Sequence, residues 1–225
     1  MIESQEHILV VQMSGGPESF MLGGTIARLV AEGNQVTVLT CSQPINAQVR
    51  EAENGEIFHA LMDLKVTNHR YLGTSLYRKP SRTTDRRYYL PEQLGLDGST
   101  GSIPVPTESE AHPGTNNIPV GVLPLSVESI DELENDFATI MTEVQPNVLL
   151  LALPEHLGVA AEIVSELAVQ SGAEGKVPVY RFVWEIDPKN RHYKQVDVRN
   201  EFETKRSAVA RHHSLGQLSG DTVEL

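Results

Sequence analysis

Residues 8–29, ILVVQMSGGPESFMLGGTIARL, run from an apolar stretch (8–13) through the turn Ser14-Gly15-Gly16-Pro17-Glu18-Ser19 straight into a helical pattern. Strand, glycine turn and helix form the repeating unit of open α/β sheets. The turn is where such folds keep phosphates or catalytic groups, because a helix start offers free N–H groups and partial positive charge. This one stretch thus constrains both the class of fold and the place of its site. It leaves open whether the turn serves a nucleotide, a metal, or neither.

The rest of the chain repeats the alternation. Residues 8–13 read as a buried strand and 20–32 as a helix, with Leu22, Ile26, Leu29 and Val30 on one face and Gly33 ending it. Strand signals follow at 35–41 and 69–72, around a helix at 46–64 whose Ile57, Leu61 and Leu64 point inward. Residues 73–126 are rich in Pro, Gly, Ser and Thr, and such long irregular stretches in compact domains usually serve a site. A helix at 127–144, a fully buried strand at 148–153, a helix at 156–170 stopped by Gly172, and an alternating strand at 177–184 complete the pattern. Residues 193–198 are expected to pair with that strand as a hairpin, and 203–213 to form a last short helix. Apolar strands alternating with helices predict a three-layer α/β sandwich, Rossmann-like, with a mostly parallel sheet covered on both faces. Its ligands belong at the carboxyl ends of the strands, here residues 14–19, 41–46, 73–77 and 154–156.

At 225 residues the chain is expected to be a single domain, 1–225, with an insert at 73–126. Its net charge of -12 disfavours sequence-independent binding to nucleic acid or an anionic membrane. No apolar run reaches the roughly 18 residues of a membrane span, and the polar start does not read as a secretory signal. A lone cysteine, Cys41, excludes an intrachain disulfide and a multi-cysteine zinc site, so a cytoplasmic setting is expected. Cys41 itself reads as a buried small hydrophobe.

Two family resemblances meet in the turn. Ser14-Gly15-Gly16-Pro17-Glu18-Ser19 resembles the Ser-Gly-Gly-x-Asp-Ser phosphate loop of ATP pyrophosphatases, with Glu18 for the aspartate and Pro17 removing one N–H donor. The longer likeness lies beyond the turn. LGGTIARLVAEGNQVTVLT (22–40), VREAENGEIFHALMDLKVTNHRYLG (49–73), PNVLLLALPEHLGVAAEIV (146–164) and ETKRSAVARHHS (203–214) resemble, in order, segments of the LmbE-like, PIG-L-type N-deacetylase family. That resemblance implies an LmbE-like fold and a zinc hydrolase that deacetylates N-acetylglucosaminyl substrates. Arg50 and Glu53 fall on the family's Arg-x-x-Glu helix, and the last segment on its His-x-Ser-Gln end.

The family's catalytic motifs are degenerate here. Aligned on Leu22-Gly23-Gly24, the motif Ala-His-Pro-Asp-Asp-Glu places Ser14 on the zinc histidine, Gly15 on the proline, Gly16 on the general-base aspartate and Pro17 on the zinc aspartate. Only Glu18 matches. In the second motif, His-Pro-Asp-His, Leu153 replaces the first histidine, Pro154 matches, Glu155 replaces the aspartate, and His156 matches a zinc ligand. Catalytic zinc needs about three protein ligands, and amide hydrolysis needs a base near its water. The resemblance therefore implies the scaffold while the residues argue against the chemistry.

The expected function is a family member without zinc deacetylase activity, binding a sugar-like or phosphorylated small molecule. The alternatives are an active hydrolase with a rebuilt site, and a nucleotide-binding protein using 14–19 as a phosphate loop. The pocket candidates are Ser14, Gly15, Gly16, Pro17, Glu18, Arg50, Glu155 and His156. No cofactor is expected, or zinc if the family activity is retained, with Glu18, Glu155 and His156 as its candidate ligands. Glu18 has a plainer role as a first-turn acid complementing the helix dipole, and Arg50 could hold a ligand or pair with Glu51 or Glu53. Arg78, Lys79, Arg82, Arg86 and Arg87 are the basic cluster of an acidic chain, facing either a pocket or solvent. His212 and His213 read as surface or pocket-rim residues. Ala111-His112-Pro113-Gly114 repeats letters of the lost motif by chance, away from any strand. No nucleic-acid or membrane partner is expected, and a homo-oligomer is possible.

Overall fold

The computed structural model describes residues 5–44, 47–72, 77–78, 88–89, 127–153, 159–183 and 194–213. Within them, five strands form one parallel sheet: β1 (His7–Gln12), β2 (Gln35–Thr40), β4 (Asn68–Tyr71), β7 (Val148–Ala152) and β8 (Val179–Arg181), in the order β4-β2-β1-β7-β8. The register pairs Val10 with Val38 on one side and with Leu150 on the other. β1 is central because it is the run whose side chains are apolar on both faces, with Ile8, Leu9, Val10 and Val11 all buried.

Period-2 alternation sends those side chains to two separate cores. Ile8 and Val10 pack with Val36, Val38, Ile26, Ile57, Leu61 and Ala208. These come from β2 and from α2 (Gly23–Ala31), α3 (Ala47–Asp63) and α6 (Phe202–Val209), which cover one face. Leu9 and Val11 pack with Leu39, Leu149, Leu151, Leu133, Phe137 and Val164, so α4 (Val127–Val144) and α5 (Val159–Gly175) cover the other. The three-layer sandwich with a parallel sheet is as the sequence predicts.

Several boundaries differ from the expectation. The helix predicted at 20–32 is split into a four-residue α1 (Pro17–Phe20) and α2. The Met21 and Leu22 amides close on the Pro17 carbonyl, and α2 then starts on Gly23 and Gly24. Those glycines admit close neighbours, since a Cβ on Gly24 would lie 2.8 Å from Val198 Cβ. α5 does not stop at Gly172 but runs through it to Gly175. A Cβ at Gly172 would lie 2.4 Å from Val179 Cγ2, so this glycine brings the helix close to β8 rather than ending it. Lys176, at φ 55, makes the turn into β8.

The strand predicted at 177–184 is confined to Val179–Arg181, and Phe182 and Val183 are not in it. Residues 194–198 are not a strand, so the expected hairpin with β8 does not form there, while Trp184 and Tyr193 lie outside the described residues. The strand at 148–153 is not buried throughout, because Val148 and Leu150 are only half-covered on the α2 and α3 face. The last helix ends at Val209 rather than 213 and is preceded by a 3-10 turn at Arg199–Glu201.

A second, three-stranded sheet has the order β3-β5-β6, from β3 (Gln43–Pro44), β5 (Tyr77–Arg78) and β6 (Tyr88–Tyr89). Two of its strands come from the stretch read as irregular. Their short two-residue runs among Gly, Pro and Ser leave no period to read. The rest of 73–126, the pseudo-motif at 111–114 and most of the basic cluster lie outside the described residues.

Candidate functional site

The turn after β1 sits at the carboxyl edge of the sheet, where the sequence places it. Ser14, Gly15, Gly16 and Glu18 are buried and Pro17 is half-buried. Gly16 has φ 115, a left-handed conformation that favours glycine, and Pro17 follows as the first residue of α1.

The turn's N–H groups are satisfied from within the protein. The Gly15 amide donates to Glu53 Oε1 of α3 at 3.3 Å and the Gly16 amide to Glu18 Oε2 at 2.7 Å. The Glu18 amide donates to Gln12 Oε1 of β1 at 2.8 Å, and the Ser19 and Phe20 amides to the Gly16 carbonyl. Pro17 has no N–H to give. Two carboxylates thus stand where a phosphate loop would present open donors, and their charge repels an incoming phosphate.

Glu18 does more than complement a helix dipole. It is fully buried and shares Oε1 with His212 Nε2 at 2.7 Å and with the Ser19 hydroxyl at 3.1 Å. Burial alone would raise its carboxyl, but the bond and charge of His212 and the surrounding donors bring it below its ordinary value. His212 is buried just past α6, against the ring of Phe20 at 5.8 Å between centroids, and is not a surface or rim residue. The contact joins residues 194 positions apart, so no local pattern announces it. Ser19, His212 and Glu18 carry the side-chain types of a hydrolytic triad, yet they cannot act as one. A carboxylate only accepts, so His212 Nε2 holds its proton toward Glu18 and cannot take the proton of Ser19, which lies 3.1 Å from the same nitrogen.

A second polar chain runs from Gln12 beneath the turn. Gln12 Nε2 donates to Thr40 Oγ1 at 3.1 Å, and Thr40 Oγ1 lies 2.9 Å from His69 Nε2. With one proton and two lone pairs, the Thr40 hydroxyl can bond both groups at once, and it links the Gln12 amide to the His69 ring. Burial lowers the His69 pKa from 6.5 to about 4, against the pull of the Glu18 charge. Beside it, Tyr71 donates to Asn54 of α3, and burial with the Glu18 charge raises its hydroxyl to about 12. Gln12, Thr40 and His69 were not anticipated as site residues. The signal available was Gln12, an amide inside an apolar run, which demands a buried partner.

Of the other predicted residues, Arg50 is half-buried on α3, one turn before Glu53. Glu53 directs an oxygen at the Gly15 amide. Leu153 is buried at the end of β7, while Glu155 and His156 lie outside the described residues. Cys41 is buried as expected, and burial pushes its thiol up. Among the described residues, no group of three His, Cys, Asp or Glu side chains is placed to hold a metal. At the turn the donor set does not fit zinc. Ser14, Gly16 and Pro17 offer neither imidazole nor carboxylate, and the Glu18 oxygens are committed to Gly16, Ser19 and His212.

No protein-family model matches the chain. A deacetylase of Kribbella flavida, 1D-myo-inositol 2-acetamido-2-deoxy-alpha-D-glucopyranoside deacetylase, is 29% identical over 161 residues, 64% of this chain and 45% of that enzyme. The match thus spans less than half of that relative's length. The deacetylase of the teicoplanin biosynthesis pathway is similar in structure, with a TM-score of 0.58 and 20% identity over 96% of this chain and 87% of that one. So is the N,N'-diacetylchitobiose deacetylase of Pyrococcus horikoshii, at TM-score 0.55 and 14% identity over 94% and 71%. The chain therefore has the LmbE-like fold, and its resemblance to the LmbE-like, PIG-L-type deacetylase family holds in both sequence and structure.

Proposed function

We propose that this protein uses the LmbE-like scaffold without zinc hydrolase chemistry, and that it binds a sugar-like or phosphorylated small molecule at the carboxyl edge of the sheet. One observation carries the reading. The position of the family's general base is Gly16, its zinc-binding positions in the first motif are Ser14 and Pro17, and the one matching acid, Glu18, is sealed inside a bonded pair with His212. A glycine cannot take a proton from water, and a buried carboxylate with both oxygens engaged cannot replace it.

The sugar-like ligand is supported by what the similar enzymes act on, an acetamido-deoxy-glucopyranoside and N,N'-diacetylchitobiose by their names. A phosphate, if the ligand carries one, finds its counter-charge away from the turn, because Glu18 and Glu53 already hold the turn's donors. Arg50 and the basic cluster around Arg82 are the residues we propose for it. Ser14, Gly15, Gly16, Pro17, Glu155 and His156 are the proposed pocket wall. No described helix is long and apolar enough to cross a membrane, and we propose a cytoplasmic protein that meets its ligand in solution.

The test combines metal analysis with an assay. Protein incubated with excess zinc and then desalted is assayed for bound metal by elemental mass spectrometry and for acetate release from N-acetylglucosaminides. Substoichiometric zinc and no acetate are expected, together with a thermal shift on adding N-acetylglucosamine or its phosphate. About one zinc per chain with acetate release would establish a rebuilt hydrolase site instead.

A further inference from the structure

A glycine turn of this kind needs something to hold it. Gly16 is left-handed, Pro17 lacks an N–H, and two carboxylates are packed under the backbone. If metal does not gather these groups, as the proposed function has it, the buried Glu18–His212 hydrogen bond must. We infer that His212, delivered by α6, is a positioning residue that fixes the site turn through Glu18, so that the carboxyl edge of the sheet is shaped by the last of the described helices.

The geometry makes the dependence specific. Glu18 Oε2 holds the Gly16 amide at 2.7 Å, while Oε1 receives His212 Nε2 at 2.7 Å and the Ser19 hydroxyl at 3.1 Å. One carboxylate therefore ties the left-handed Gly16 to the residue just past α6. A fully buried carboxylate is tolerated only while its oxygens are hydrogen-bonded, and His212 Nε2 and the Gly16 amide, each at 2.7 Å, are its closest partners. Ala208, fully buried in the core beside Ile57 and Leu61, seats α6, while Asp63 at the end of α3 accepts from Ser207 Oγ at 3.0 Å and from Arg211 Nε at 2.8 Å on the exposed rim of the same contact. Lys205 lies over Gly23, with its Cγ 3.1 Å from where a Cβ would stand, which seats α6 against α2. Deleting the imidazole strands the charge on Glu18, and the nearest relief is for Glu18 to leave the Gly16 amide and reach for water.

The Gly16 amide is therefore the reporter. Its hydrogen exchange is read by NMR in the wild type, His212→Ala, His212→Gln and Arg211→Ala, with the Leu9 amide of β1 as a measure of global opening. We expect Gly16 exchange to rise about tenfold or more in His212→Ala, the scale of one lost charged hydrogen bond, and by more than any rise at Leu9. His212→Gln, which keeps an N–H donor, restores much of the protection. Arg211→Ala, which touches only the exposed rim, leaves Gly16 unchanged, and so does EDTA. An equal rise at Gly16 and Leu9, or none at Gly16, would overturn the inference, as would loss of protection in EDTA. Zinc content and acetate release bear on the proposed function alone, so the two ideas can fail separately.

Discussion

The half-buried histidine of β4, His69, offers a quantitative check of the polar network. His69 Nε2 is hydrogen-bonded to the Thr40 hydroxyl, and burial holds its pKa at about 4 against an ordinary 6.5. The unfolded chain takes up a proton below pH 6.5 that the folded protein refuses until about pH 4. The unfolded state binds more protons in that window, so stability rises with pH across it. The contribution is complete above pH 6.5 and is lost as the pH falls toward 4. The gap between 6.5 and about 4 is worth about 3 kcal/mol, of which roughly 2 kcal/mol is gone by pH 4.5. Replacing His69 with Gln keeps an acceptor for Thr40 and removes the titration. Urea denaturation of both proteins at pH 7.5 and 4.5 isolates the term, since His7, Glu18 and Asp63 titrate in both. The wild type should lose about 2 kcal/mol more than His69→Gln over that interval. Equal losses, or a His69 ring titrating near 6.5 by NMR, would refute the assignment of His69 as a neutral ring in the folded protein.

Other consequences are simpler to state. Gly172→Ala should destabilise by about 1–3 kcal/mol by chemical denaturation despite the better helix propensity of alanine, because the new Cβ meets Val179 Cγ2 at 2.4 Å and the Val177 carbonyl at 3.0 Å. Val179→Ala added to it should recover part of the loss. Cys41 should resist iodoacetamide at pH 8 in the folded protein and react once urea unfolds it, since burial raises its thiol. Arg211→Ala should cost less than about 1 kcal/mol in thermal or urea melts, because its bond to Asp63 lies at the surface.

The order of elements was legible in the sequence because each carries its own period. Ile8 to Val11 are apolar on both faces and fill two cores, and Ile57 and Leu61 recur at helical spacing on α3. The degeneracy of the first motif was equally legible, since a glycine or a proline is no ligand in any fold. The ends of elements were less so. Gly172 looks like a helix stop when only the helix is considered, and becomes a packing position once β8 lies against it.

The polar interior of the site belongs to the tertiary structure. Gln12 bonds to a threonine 28 residues away, that threonine to a histidine 29 residues further, and Ser19 to a histidine 193 residues away. Hydrogen bonds across such separations leave no periodicity, and a histidine near the end of a helix reads as a surface residue until the chain brings a buried carboxylate to meet it. Local propensity and patterning decided that a glycine turn would follow β1 at the sheet's carboxyl edge. Only the folding of α6 onto α1 and α3 decided that the buried Glu18 would meet His212, because burial, which makes that pairing necessary, is a property of the assembled chain.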